Sequence, residues 1–85
     1  MAVTRSSSLT ASGASVLSYK GVIDCSANPD YPAATAGDAY VISVAGKIGG
    51  ASGTTVTAGD LTLCKTTTAA GAEAAVGANW DTVQA

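Results

Sequence analysis

The chain has 85 residues and a net charge of −2, and only 12% of its residues are charged, about half of the ~25% usual in soluble domains. This length holds one small domain at most, and such a domain buries only about 60% of its unfolded surface. There is no His, there are two Cys, and the four cations Arg5, Lys20, Lys47 and Lys65 are scattered, which argues against a metal-stapled core, His-based catalysis and a basic stripe for nucleic acid.

Residues 1–15 are rich in Ser, Thr, Ala and Gly, with neither helical nor strand period. They read as an extended N-terminal arm, either a frayed end or a segment that orders only on a partner. Within it Val3 and Leu9 are spaced apolar anchors and Arg5 is the lone cation, so these three are the candidate partner-binding residues. Ser6-Ser7-Ser8 stands where a signal peptide needs an apolar stretch. No segment of the chain approaches the ~20 apolar residues of a membrane span, and no membrane partner is expected.

Residues 16–85 read as a single β domain. Tyr19 to Cys25 is a first strand, and Ser26-Ala27-Asn28-Pro29-Asp30-Tyr31-Pro32 is a loop broken by two prolines. Asp38 to Ala45 is the clearest strand, with Tyr40, Ile42 and Val44 on one face and Val41 and Ser43 on the other. Residues 45–53 hold four glycines and read as a curved loop. Thr54 to Thr57 suits a short strand. Leu61 to Thr67 alternates again, with Leu61 and Leu63 expected to point inward. Ala69 to Gly77 is too short for a stable helix and reads as a loop or a single turn. Asn79 to Gln84 is a last strand carrying the only Trp.

Thr35-Ala36-Gly37-Asp38 recurs as Thr57-Ala58-Gly59-Asp60, each time just before a strand. Gly supplies a positive φ and Asp bonds backbone N–H groups, so both read as turns. Turn-and-strand units of one design suggest an antiparallel meander, and the fold class is all-β: a small antiparallel β-barrel or β-sandwich.

No catalytic set is visible, and a non-enzymatic protein is expected. The acids Asp24, Asp30, Asp38, Asp60, Glu73 and Asp81 include pairs that could in principle flank a sugar bond, but most occupy turns or strand ends, where solvated or capping acids sit. Nothing matches the spaced oxygen ligands of a calcium loop, and no cofactor is expected. Trp80 reads as the largest core piece, packed against Leu61, Leu63 and Tyr40; exposed, it could instead stack on a sugar. Cys25 and Cys64 read as buried thiols, with a disulfide between the first and fourth strands as the alternative.

The run Gly37 to Gly50 resembles a segment of phage tail-fibre and capsid-decoration proteins. The elements Gly59-Asp60-Leu61, Asn79-Trp80-Asp81-Thr82-Val83, Tyr19-Lys20-Gly21-Val22-Ile23-Asp24 and Asn28-Pro29-Asp30-Tyr31-Pro32-Ala33 look like parts of the same module, so the likeness spans Tyr19 to Gln84. The resemblance implies a non-catalytic virion module that works as a homotrimer on the particle surface, assembled in the host cytoplasm. A short chain that starts at Met1 fits a decoration (cement) protein bound to the major capsid protein. A receptor- or glycan-binding piece of a tail fibre is the alternative.

If the arm docks along a neighbour, its value lies in paired backbone N–H groups, because ordering each residue costs about 1–2 kcal/mol. Deleting residues 2–14 is expected to leave the melting of the β body unchanged while weakening attachment to shells or to the neighbouring subunit. Equal decoration by the truncated chain would identify the arm as a frayed end.

Overall fold

In a computed structural model, residues 17–85 are described. The expected arm and its anchors Val3, Arg5 and Leu9 lie outside the described residues. The described chain is mostly β: β1 (Ser18–Asp24), β2 (Asp38–Val44), β3 (Gly46–Ile48), β4 (Thr54–Val56), β5 (Leu61–Cys64), a single helical turn α1 (Glu73–Val76), a 3-10 turn (Gly77–Asn79) and β6 (Trp80–Val83). Strands β1-β2-β5-β6, in that order, make one sheet, and β3-β4 make a hairpin.

Five expected strands stand within three residues of where periodicity puts them. β3 is the addition. It comes from the glycine-rich segment, where Gly46, Lys47 and Ile48 pair with Val56, Thr55 and Thr54.

The sheet is mixed, which corrects the antiparallel meander. β2-β5 and β5-β6 are antiparallel, but β1 runs parallel to β2, starting with Ser18 beside Asp38. The physical reason is the connection. A hairpin needs a tight turn of a few residues, whereas residues 25–37 form a long crossover that returns the chain to the starting end of β1. On its way the crossover bridges residues 68–71: Tyr31 N–H donates to the Gly71 carbonyl at 2.9 Å and Ala34 N–H to that of Thr68 at 3.0 Å. The Gly49 N–H in turn donates to the Pro29 carbonyl at 2.8 Å. The prolines thus do more than break pairing: they shape a strap that lies over one face of the sheet.

The repeated Thr-Ala-Gly-Asp elements are the same turn built twice. Asp38 N–H donates to the Thr35 carbonyl at 3.0 Å, and Asp60 N–H to that of Thr57 at 3.1 Å. Gly37 and Gly59 take φ of 96° and 93°, the positive value a type II turn needs at its third position. Each Asp then reaches back, Asp38 Oδ2 accepting from Thr35 N–H at 3.0 Å and Asp60 Oδ2 from Thr57 N–H at 2.8 Å.

The core lies between one face of the sheet, the hairpin and the strap: Cys25, Tyr31, Ile42, Ile48, Val56, Cys64 and Trp80. Trp80 stacks on Tyr31, with ring centroids 5.2 Å apart and planes at 18°, and leans on Tyr40 at 6.1 Å. The expectation that Trp80 is buried holds, but its expected neighbours Leu61 and Leu63 are corrected. In β5 it is Thr62 and Cys64 that face the core, Cys64 lying directly beside Trp80 in the register. Trp80→Ala is expected to destabilise the fold by about 3–5 kcal/mol, as truncation of a large core aromatic does. A urea titration followed by circular dichroism checks this, and an unchanged midpoint would refute it.

Candidate interaction surface

Because side chains alternate across a strand and register partners share a face, the pairing fixes what the outer face of the sheet presents. Val22 pairs with Val41, Val41 with Leu61, and Leu61 with Val83. One aliphatic row therefore crosses all four strands. A second row, Tyr19-Ala39-Leu63-Asp81, runs beside it. Of these residues Ala39 is buried, 3% exposed between Tyr19 and Leu63, and the core cluster occupies the opposite face.

The outer face is open. Tyr19, Val22 and Val83 are 63%, 60% and 52% exposed, while Val41, Leu61 and Leu63 on the central strands are half-buried by their neighbours. Leu17, just before β1, is also exposed. Where it meets charge, the face is neutral: Lys65 Nζ lies 3.3 Å from Asp81 Oδ1, both side chains about half exposed. Single exposed apolar residues are ordinary, but a contiguous apolar band across a sheet marks a surface made for contact.

Residue alternation alone does not reveal this face. Leu61 and Leu63 are more apolar than Thr62 and Cys64, so alternation points the wrong pair inward. The clue lies instead in β2, where Val41 stands opposite Ile42 and leaves both faces of the strand apolar.

Most of the acids are engaged in the framework. Asp24 Oδ1 accepts from Ser26 N–H at 2.9 Å, a bond that lowers its pKa. Tyr31 Oη donates to Glu73 Oε1 at 2.7 Å, and Thr54 Oγ1 donates to the same oxygen at 3.3 Å. Lys20 Nζ approaches Asp38 Oδ1 at 3.9 Å. Among the described residues no group of three His, Cys, Asp or Glu side chains comes together as a metal site. Cys25 and Cys64 are free buried thiols, so the disulfide alternative is not the state of this structure. Burial pushes both thiols up in pKa. No helix among the described residues is long and apolar enough to cross a membrane. Comparison with protein-family models, curated proteins and solved structures finds no significant match.

Asp60 is the most enclosed acid, 1% exposed. Its Oδ1 accepts from Ala85 N–H at 2.9 Å and from Thr57 Oγ1 at 3.2 Å, so it ties the end of the chain after β6 to the turn before β5. The bond from Ala85 N–H, then that from Thr57 N–H, holds its pKa below the ordinary 3.8. A carboxyl depressed in the folded state contributes stability that is complete above its unfolded pKa and lost as pH falls through the folded value. Asp60→Asn is therefore expected to melt lower than the parent above the ordinary carboxylate range, with the two converging as pH falls through the depressed folded value. Thermal melts across this range check it; parallel curves would show that Asp60 does not carry the acid sensitivity.

Proposed function

We propose that the chain is a structural protein of a phage particle. In this reading it is a decoration or cement protein that works as a homotrimer, binds the major capsid protein on the outer shell and stabilises the shell by protein–protein contacts. The observation that carries the reading is the open aliphatic row Val22-Val41-Leu61-Val83. Water-exposed apolar surface costs about 25 cal/mol per Å² relative to burial, so a sheet with both faces apolar gains by assembling. The likeness of Tyr19 to Gln84 to phage virion modules points to the particle as the place of assembly.

Trp80, the largest ring available to stack on a sugar, and Tyr31, which stacks on it, are in the core, 5% and 2% exposed. This favours protein contact over glycan contact. The second reading, a receptor- or glycan-binding module of a tail fibre, would rely on Tyr19, the one strongly exposed ring. Under either reading the fold is taken as a small sandwich, with the four-stranded sheet as one layer and the β3-β4 hairpin as the other.

Cryo-electron microscopy of intact particles tests the choice. Many copies spread over the shell are expected. Copies confined to the tail would overturn the decoration reading in favour of the fibre, and particles without the chain would overturn both.

A further inference from the structure

The outer face of the sheet has a shape and a charge pattern that limit what can cover it. Its most exposed members sit on the two edge strands, Tyr19 and Val22 on β1 and Val83 on β6. The central Val41, Leu61 and Leu63 are half-buried between them. By strand spacing the row from Val22 to Val83 spans about 14 Å. An inserted peptide needs a groove or an unpaired edge with pockets; covering both rims of this face at once requires a broad, flat, apolar partner.

Charge narrows the choice further. Among the described residues the charges that reach the face are Lys65 and Asp81, already paired at 3.3 Å. A face with one cation and one anion repels neither itself nor an identical face, and two copies can exchange these partners across a shared rim. A strongly charged partner would find nothing complementary here. A second copy offers what is missing: an identical apolar row, of equal width, carrying a compensating pair of charges. Around a threefold axis three such faces turn inward, each meeting the same face of its two neighbours.

We propose that the outer face of the β1-β2-β5-β6 sheet is covered by the same face of neighbouring copies of this chain, so that the row Val22-Val41-Leu61-Val83 forms an apolar layer between subunits. The proposal rests on the reading of the chain as an assembling structural protein and names the surface through which it assembles. It leaves the hairpin and strap side of the molecule free to meet the shell. Trp80, on the opposite side of the sheet, reports folding independently of assembly.

Sedimentation equilibrium of the full chain tests the proposal. The parent is expected at the mass of three chains at micromolar concentration, and Val22→Lys with Val83→Lys at the mass of one, with Trp80 emission unchanged. Ala51→Lys, on an exposed residue of the β3-β4 loop, is the control and stays assembled. If the lysine pair prevents folding, the isosteric Val22→Thr with Val83→Thr keeps strand propensity and is expected to weaken association by about tenfold or more, roughly 1.4 kcal/mol. A monomeric parent would overturn the proposal, as would lysine or threonine variants that associate like the parent. A monomeric parent whose binding to shells is lost in the lysine variant would assign the face to the capsid protein, overturning the homotrimer and keeping the decoration role. A face that governs self-association in a protein absent from particles would do the reverse.

Discussion

The stack of Tyr31 on Trp80 is the contact on which the rest of the fold depends. It pins the crossover strap, which has no regular pairing of its own, to the inner face of the sheet. It is the large apolar contact that joins residues 25–37 to the sheet, beside the backbone bonds of Tyr31 with Gly71 and Ala34 with Thr68, in the arrangement that places β1 parallel to β2. The phenol extends the same contact outward. Burial, together with its bond to Glu73, pushes the Tyr31 pKa up to about 12 against the opposing effect of Thr54. The ring therefore stays a neutral donor to Glu73 Oε1 throughout the ordinary pH range. Glu73 then gathers three separate parts of the chain: its N–H donates to the Gly49 carbonyl, and its carboxylate accepts from Tyr31 and from Thr54 at the start of β4. Strap, hairpin and helical turn meet at one residue.

The stack has a cost that shows which force dominates. The indole Nε1–H of Trp80 is buried with no acceptor among the described residues. An unmade buried hydrogen bond costs about 1–3 kcal/mol, whereas truncating a core Trp costs about 3–5. The apolar area of the ring and its offset stacking outweigh the orphaned N–H, so the site tolerates the defect. In a core with no Phe and few large aliphatic side chains, the single Trp is retained for its area.

Five of the six described strands were legible in the sequence; β3, the faces of the strands and the direction in which they run were not. The β2 pattern Tyr40-Val41-Ile42-Ser43-Val44 identifies a strand whichever face is inside. The paired Thr-Ala-Gly-Asp turns were legible because Gly and Asp have specific turn geometry that neighbours do not change. The β5 faces were misread because hydropathy ranks Leu above Thr and Cys, while register sets the outcome: Cys64 must lie beside Trp80, so Thr62 follows it inward. Thr62 is fully buried, its hydroxyl aimed at the Asp81 carbonyl at 3.4 Å. The parallel start depended on Tyr31 reaching across to Trp80, about fifty residues away in the chain, a contact that local pattern does not encode. The outer apolar face was missed for the same reason, since a surface composed of four strands exists only once their register is known.

Both faces of this sheet are apolar, yet the described residues cover only one of them. The inner face takes Tyr31, Ile48 and Val56 from the strap and hairpin, and among the described residues no comparable set is left over for Val22, Val41, Leu61 and Val83. A monomer built to remain single would place Lys, Glu or Thr on such a face, as solvated sheet faces normally do. Here the charges that the described residues bring to the outer face, Lys65 and Asp81, pair with each other. The low charge of the sequence and the small size of its core therefore have a common physical origin: a sheet with two apolar faces, of which the described residues cover one. In the proposed assembly a neighbouring copy supplies the second layer, and the pairing of Lys65 with Asp81 spares that contact an electrostatic penalty.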